Sequence, residues 1–345
     1  MTPKGSFAFF ETSGGATIHR IPLEAFPKFW AYAYVVQKGN DRILIDCGSG
    51  TESSHKGLLE GLAQAGLQPS DLTHILITHA HIDHFGGLSK LHPVTQAKIG
   101  VHELDKQTVA HHEARLALIS KRLASFLAET GLAEEERETL LNIYRFTKAI
   151  YKSVPVDFIY KDHVAGFDLI HLPGHCPGHV AMRLEDVIFC GDMVVEGVTP
   201  HLSPESINPY SGLDHYLTSL HRLEQWAGGA RLIFNGHDDV ISDLPAHIQS
   251  TRENIIRRMS KAMEALAEPR TIAETAQAVY GEIAGYNGLL MIEKTGAYIE
   301  YLYEHGMIEI VNSDEMEQGM PAQYRRLREI PDSELLPKER KHVFI

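Results

Sequence analysis

Three histidines and one aspartate lie within six positions of a short segment, and this cluster constrains the chain more than any other feature. The segment Thr78-His-Ala-His-Ile-Asp-His-Phe-Gly-Gly87 begins at the end of HILIT (74–78), whose β-branched residues predict a short strand. Imidazole nitrogens and carboxylate oxygens suit borderline divalent metal ions, and a tight loop can direct alternate residues to two ions. Gly86 and Gly87 are expected to let the main chain pass close beneath the metals. The sequence therefore predicts a metal site on a loop that follows a strand.

Three downstream segments repeat the pattern of a strand that ends at a candidate ligand. FDLIHL (167–172) is soon followed by His175, VIFCGD (187–192) ends at Asp192, and RLIFNGH (231–237) ends at His237. Upstream, FWAYAYVV and RILID read as two strands joined by a Lys-Gly-Asn-Asp turn. Strands alternate with helical segments, which is typical of a layered α/β fold.

His79, His81, Asp83 and His84 match the H-x-H-x-D-H signature at every position, so the chain resembles the metallo-β-lactamase superfamily, with motifs similar to those of glyoxalase II. Leu172-Pro-Gly-His-Cys-Pro-Gly-His179 is similar to the third motif of that family. The resemblance implies an αββα sandwich with the metals at one end of two packed sheets. The C-terminal helices resemble those of a bacterial branch that appends a winged-helix-like domain.

The resemblance also implies a division of the ligands between two metal ions about 3.5–4 Å apart. The first ion is expected to be held by His79, His81 and His175. The second ion is expected to be held by Asp83, His84 and His237, and Asp192 is expected to bridge both ions. A hydroxide shared by the metals would attack an acyl bond, and Asp83 would orient it and transfer a proton. Zn²⁺ fits this donor set best, while Fe²⁺ and Mn²⁺ are also compatible.

Other residues near these motifs are candidates for supporting roles. Asp46, His171 and His179 are expected to orient ligands, and Cys176 and Cys190 to be inert buried thiols. Candidates for the lining of the substrate pocket are His111, His112, His201 and Tyr210. Two positions depart from relatives: Val195 replaces a tyrosine found in lactonases, which disfavours lactone hydrolysis, and Asn235 replaces the proline before Gly236-His237.

The length of 345 residues favours two domains. We expect a catalytic domain over 1–250 with a helical insertion over about 103–155, and a winged-helix-like domain over 251–345. The insertion has apolar residues at helical spacing, such as Leu116, Ile119 and Leu123, and would act as a lid. The second domain is expected to serve packing or homodimer formation.

Composition narrows the classes of function. No apolar run approaches the roughly 20 residues of a membrane span, and no secretory signal precedes Ile21, so a cytoplasmic protein is expected. The net charge of −13 disfavours nucleic acid, and residues 252–345 carry 12 Lys and Arg against 16 Asp and Glu. Hydrolysis of a thioester or small ester is the favoured function. A phosphodiesterase or nuclease and a non-enzymatic, metal-containing regulatory protein are the alternatives.

Overall fold

Two β-sheets pack face to face between outer layers of helices. The structure is a computed structural model that describes residues 6–197 and 199–336. The strands of the first sheet, in spatial and chain order, are β1 (Ala8–Glu11), β2 (Thr17–Phe26), β3 (Phe29–Lys38), β4 (Asp41–Ile45), β5 (His74–Leu76), β6 (Lys98–Val101) and β7 (Phe158–Ile159). Pairing is antiparallel from β1 to β4 and parallel from β4 to β7.

The second sheet has the spatial order β12-β11-β10-β9-β8. Its strands are β8 (His163–Val164), β9 (Phe167–His171), β10 (Val180–Leu184), β11 (Val187–Phe189) and β12 (Leu232–Phe234). Pairing is parallel between β11 and β12 and antiparallel elsewhere. The parallel strands β11 and β12 send the loops that follow them to the same edge of the sheet.

The helices precede, interrupt and follow the second sheet. Those in the first two thirds of the chain are α1 (Glu52–Gln64), α2 (Ile82–Phe85), α3 (Leu88–Leu91), α4 (Lys106–Ala110), α5 (His112–Glu129), α6 (Glu134–Lys148) and α7 (Leu213–Trp226). The C-terminal elements are α8 (Leu244–Ala265), α9 (Ile272–Tyr280), α10 (Gly285–Glu304), β13 (Ile308–Ile310), α11 (Ser313–Met316), β14 (Tyr324–Arg326) and α12 (Asp332–Leu335). Within residues 6–197 and 199–336, no helix is both long and apolar enough to cross a membrane.

Side chains along β3 point alternately to its two faces, which explains the four layers of helices, sheet, sheet and helices. Tyr34 and Val36 point into a buried cluster between the two sheets, where Tyr34 meets Phe189 of β11 at a ring-centroid distance of 5.2 Å. Ala33 and Val35 point to the opposite face and join a cluster that includes the buried residues of α1. A strand that is apolar on both faces must be covered on both sides. The result is the αββα sandwich that the resemblance implies.

A third buried cluster covers the outer face of the second sheet. It joins Ile188 of β11 and Leu123 of α5 to residues of the C-terminal helices, such as Ile255 and Ile292. The expected boundary after residue 250 falls inside α8, which runs from Leu244 to Ala265. The C-terminal helices therefore share a hydrophobic core with the rest of the chain, and the division into two domains stays a prediction, as does the winged-helix-like assignment.

Helices α9 and α10 begin in different ways. Thr271 caps α9 and accepts a hydrogen bond from the Glu274 amide, while the Glu274 side chain accepts one from the Thr271 amide, which completes a capping box. Helix α10 begins at Gly285. Glycine disfavours helix, but a Cβ on Gly288 would lie only 3.0 Å from Ile283, so a larger residue there would require Ile283 to shift by a few tenths of an ångström.

Candidate metal centre

Four loops bring the predicted ligands together at one end of the sandwich. His79, His81, Asp83 and His84 lie on the segment after β5, which includes α2. The other three follow β9, β11 and β12 and are His175, Asp192 and His237. All seven residues predicted from the sequence therefore lie in one cluster, although each belongs to a short motif far from the others in the chain.

The ligand atoms form three overlapping groups, within each of which the atoms lie at most 4.8 Å apart. We name two of them the His79 group (His79, His81 and His175) and the His237 group (Asp83, His84 and His237). The third group is made of His79, His84 and Asp192, so it overlaps both.

Asp192 lies between the two groups. Its Oδ2 is 2.9 Å from His237 Nε2 and 3.5 Å from His175 Nε2, and its Oδ1 is 3.3 Å from His84 Nε2. In the His79 group, the Nε2 atoms of His175 and His79 are 3.3 Å apart. This geometry is the one expected of a carboxylate that serves both groups.

Asp46 anchors the segment after β5 by hydrogen bonds on the side away from the cluster. Its Oδ2 accepts hydrogen bonds from His84 Nδ1 at 2.8 Å and from the Thr78 hydroxyl at 2.7 Å, and its Oδ1 accepts one from the Thr78 amide. The bond to Nδ1 leaves His84 Nε2 facing the cluster, which fixes the orientation of the ring. The backbone of Asp46 has a φ of 56°, a left-handed conformation that aspartate tolerates better than most residues. The expected hydrogen bond, which Asp46 accepts from a histidine predicted to bind metal, is present.

Main-chain carbonyls orient the two later histidines. His175 Nδ1 lies 2.8 Å from the oxygen of His201, and His237 Nδ1 lies 2.8 Å from the oxygen of Trp30. In each case Nδ1 must donate, so Nε2 is the ring nitrogen that faces the cluster. His179 acts differently, because its Nε2 accepts a hydrogen bond from the Asp192 amide at 3.1 Å.

The two groups differ in their proton affinity. Burial, together with the neighbouring His84, lowers the pKa of His79 well below its ordinary value, and burial with His175 and Lys148 does the same to the pKa of His81. Burial also opposes the charge on His237, but Asp192 and Asp83 outweigh it and raise the pKa of His237 to about 9.

The same carboxylates act on the remaining imidazole of the His237 group. Asp192, Asp83 and Asp46 outweigh burial and raise the pKa of His84 well above its ordinary value. Burial raises the pKa of Asp192 itself, but His237 and His84 outweigh it and hold that pKa well below the ordinary range. Without metal, protonation is therefore disfavoured at His79 and His81 and favoured at His84 and His237.

Asp105 links two of the loops around the cluster, and the sequence did not reveal it. This buried carboxylate accepts hydrogen bonds from the amides of Ala80 and Gly178 at 2.8 and 3.0 Å and from Cys176 Sγ. It therefore ties the segment of His79 and His81 to the loop of His175. Its position at the start of the insertion gave no sign of this, because its partners are mainly main-chain groups.

The other candidates fall into two sets. His112 and His201 line the cavity described below, whereas His111 and Tyr210 are exposed and lie outside its lining. His171 does not orient His175 or Asp192 as expected; its Nε2 bonds to the Pro177 oxygen and its ring stacks on His102.

Both cysteines near the cluster are buried, as expected of inert thiols. Burial, reinforced by Asp105, raises the pKa of Cys176 well above its ordinary value. Burial raises the pKa of Cys190 to about 12. Neither residue is therefore a thiolate near neutral pH.

Glycines and Asn235 shape the loops around the cluster. A Cβ on Gly236 would lie 2.1 Å from Asp192 Oδ1, so only glycine fits there. Gly86 and Gly87 were expected to let the main chain pass close beneath the metals. In the structure the atoms nearest to these glycines are instead main-chain oxygens, such as those of Ser49 and Cys47. The Asn235 side chain accepts hydrogen bonds from the amides of His237 and Asp238, which organises this loop without the proline of relatives.

The cluster opens into a cavity of about 830 Å³. The hairpin between β2 and β3, the helices α5 and α6 of the insertion, and α10 form its walls. Apolar and aromatic side chains on these walls are Phe26, Phe29, Trp30, Leu116, Ile119, Tyr144, Tyr286, Leu289 and Leu290. The insertion thus forms one wall of the cavity, while its movement as a lid stays a prediction.

Comparison with known proteins adds independent information. The model of the Metallo-beta-lactamase superfamily matches residues 31–237. A probable metallo-hydrolase from Bacillus subtilis is 24% identical over 279 residues, which are 77% of this chain and 85% of that protein. An atrochrysone carboxyl ACP thioesterase from Pseudocercospora fijiensis is 22% identical over 267 residues, 76% of this chain but only 63% of that protein. The crystal structure of a metallo-beta-lactamase family protein from Thermus thermophilus is 25% identical, with a TM-score of 0.72 over 90% of this chain and 98% of its own.

Proposed function

Because this chain belongs to the metallo-beta-lactamase superfamily, with the family model matching residues 31–237, we propose that it hydrolyses an acyl thioester or a related small ester at a centre of two divalent metal ions. Membership of the superfamily and relatives named as hydrolases make it a metal-dependent hydrolase. The thioester is favoured because the fungal relative is named for the hydrolysis of an acyl-carrier thioester. The observation that carries the proposal is the seven-residue cluster at the base of a largely apolar cavity.

The side chains fit such metal ions on two grounds. Five imidazoles and two carboxylates are the donors that Zn²⁺ prefers, while Fe²⁺ and Mn²⁺ are compatible with them. His84 Nε2 and Asp192 Oδ1 are buried and lie 3.3 Å apart, and neither forms a hydrogen bond with the described residues. Buried polar atoms without partners are costly, and a divalent cation between them would satisfy both.

We assign the ligands by the two groups. The His79 group would hold one ion and the His237 group the other, and Asp192 would be shared. Asp192 approaches histidines of both groups to within 3.5 Å, whereas Asp83, among the described histidines, approaches only His237 and His84, at 3.5 and 3.7 Å. When bound, the ions supply Lewis-acid polarisation of the acyl carbonyl and acidify a water molecule.

Asp83 is the proposed proton carrier. It is half-buried, lines the cavity and has its carboxylate beside the cluster, so it can reach both a water molecule and a substrate. In the reaction, water adds to the acyl carbon, the carbon–sulfur bond breaks, and the proton taken from water passes to the leaving sulfur. We propose that Asp83 orients the water and transfers that proton.

The residues that line the cavity favour a small acyl substrate rather than a nucleic acid. Phe29 packs near His237, with ring centroids 4.9 Å apart, and Leu289 and Leu290 of α10 face the same space. Apolar walls can bind an acyl chain while the cluster acts on its carbonyl. A homodimer and a cytoplasmic location remain predictions from the sequence.

The test is a set of initial hydrolysis rates for the metal-loaded protein on a thioester, an aryl ester, a lactone, a β-lactam and a phosphodiester. His237→Ala removes one proposed ligand, and His92→Ala is the matched control, because His92 is exposed and lies outside the cluster. We expect thioester hydrolysis that His237→Ala abolishes and His92→Ala leaves unchanged. A preference for the phosphodiester would replace this proposal with a nuclease.

A further inference from the structure

One face of helix α10 contacts the loop over residues 199–205. Glu293 Oε2 lies 2.8 Å from His201 Nε2, and Glu300 accepts a hydrogen bond from the Glu205 amide at 3.1 Å. Between them, a Cβ on Gly296 would lie 2.8 Å from Pro204, so the helix and the loop are in close contact. Positions 293, 296 and 300 recur at helical spacing and share one side of the helix.

The same loop carries an atom that orients a proposed metal ligand. The main-chain oxygen of His201 accepts the hydrogen bond from His175 Nδ1 at 2.8 Å. This bond selects the tautomer in which His175 Nε2 is free to bind a cation. A chain of two contacts, each of 2.8 Å, therefore leads from the C-terminal helix to the His79 group.

Glu293 is buried, and a buried carboxylate is energetically costly unless it has a partner. It is only 5% exposed, and its side chain is paired with that of His201. Burying a charged group without a partner is strongly unfavourable, so the contact with His201 fixes both side chains. Lys294 adds a second anchor for the loop, because its Nζ donates to the oxygen of Thr199 at 2.8 Å.

We propose that Glu293 is a positioning residue for His175, acting through His201, and that α10 thereby completes the metal centre. This inference rests on the proposed function in that His175 is taken as a metal ligand. It gives the C-terminal helices a role in the hydrolytic centre, in addition to the packing or dimer formation expected from the sequence.

The test compares metal affinity in the full-length protein, measured without substrate. Metal-free wild type, Glu293→Leu, Glu293→Gln and the matched control Glu304→Leu are titrated with Co²⁺, followed by its visible absorption. Glu304 lies on the same helix but is exposed. Changes behind a metal ligand typically lower affinity about 10–100-fold, and we expect Glu293→Leu to lower it about 10-fold. Glu293→Gln can still accept the hydrogen bond and should stay within about 3-fold of the wild type.

A double mutant separates positioning from a general loss of stability. In a His175→Ala background, Glu293→Leu should have no further effect on Co²⁺ affinity, because the residue that it positions is gone. If Glu293→Leu does not fold, His201→Leu keeps the main-chain oxygen but removes the contact and should show the same loss of about 10-fold.

The outcomes distinguish this inference from the proposed function. Wild-type affinity in Glu293→Leu, an equal loss in Glu293→Gln, or a persistent effect without His175 would each overturn the inference and leave the metal centre standing. A wild-type protein that binds no Co²⁺ would overturn both. Hydrolysis of a thioester is assayed separately, so its absence alone would leave the positioning role intact.

Discussion

The His79 group and the His237 group are both rich in imidazole but differ in charge state. Burial holds the pKa of His79 and His81 low and disfavours their protonation in the metal-free protein, whereas nearby carboxylates raise the pKa of His84 and His237 and favour it. A neutral imidazole can bind a metal ion directly, but a protonated one must first lose its proton. The position of the carboxylates therefore decides how each half of the cluster takes up metal.

The largest effect is expected from Asp192→Asn, because Asp192 is shared by both groups. An amide cannot neutralise the charge of two cations, so both should bind weakly. We expect turnover to fall at least about 1000-fold, since the stabilisation that metal ions supply is worth several kcal/mol. Metal content by elemental analysis and kcat are the measurements, with Asp168→Asn as the control at an exposed carboxylate. Full metal content with normal turnover would show that Asp192 is not shared.

Asp46→Asn should affect the two groups unequally. Asp46 bonds to His84 Nδ1, so the change weakens the orientation of a residue in the His237 group. Asparagine tolerates the positive φ at this position, so the backbone should be preserved. We expect affinity for one of two ions to fall about 10–100-fold while the other is retained. Calorimetric titration would reveal this as two separated binding steps, and an equal weakening of both steps would argue against two distinct groups.

The pH dependence of metal uptake should be strongest in the His237 group. The pKa of His237 is raised to about 9, so near neutral pH it is protonated and binding must release its proton. Affinity for that ion should rise about tenfold per pH unit for each proton released, and level off above about pH 9. Titration calorimetry in buffers of different ionisation enthalpy measures the released protons. Binding without proton release at either step would contradict the difference between the groups.

The same shift predicts the sign of a stability change in the metal-free protein. A pKa raised in the folded state contributes stability that is fully present below the unfolded value of 6.5 and is lost as the pH rises through about 9. His237→Gln should therefore lose this pH dependence. Urea unfolding of the metal-free wild type and variant, from below the unfolded pKa to above the folded one, would measure it, and parallel curves would refute the prediction.

The smallest effect is expected from Cys176→Ser. The thiol is buried, its pKa is raised, and a serine hydroxyl can donate the same hydrogen bond to Asp105. Turnover and metal affinity should change less than about twofold, because one hydrogen bond replaces another. Rapid alkylation of Cys176 by iodoacetamide near neutral pH in the wild type would instead indicate a reactive thiolate.

The sequence predicted the cluster because each ligand follows a strand and lies in a short motif with glycine or histidine neighbours. It did not predict Asp105 or Glu293, because both act on main-chain groups or on residues distant in sequence. No local spacing distinguishes such an acidic residue from one on the surface. The role of His201 was likewise hidden, since its main-chain oxygen, not its side chain, contacts His175.

The N-terminal strands β1 and β2 were also missed. β2 carries Pro22, which disfavours a central strand, and Arg20, which is uncommon in a core. In the structure Arg20 is fully buried; its Nη1 donates a hydrogen bond to Asp239 at 3.1 Å and its guanidinium lies 4.6 Å from the centre of the Tyr32 ring. The partners that make a buried arginine acceptable come from other elements, so the strand could not be predicted from its own residues.

The most direct test of a two-ion hydrolase is to add Zn²⁺ stepwise to the metal-free protein while thioester hydrolysis is measured in the same samples. We predict that two equivalents are needed, with the first bound with little proton release and full activity reached only with the second. Saturation of both binding and activity at one equivalent, or turnover that persists without any metal, would contradict the account.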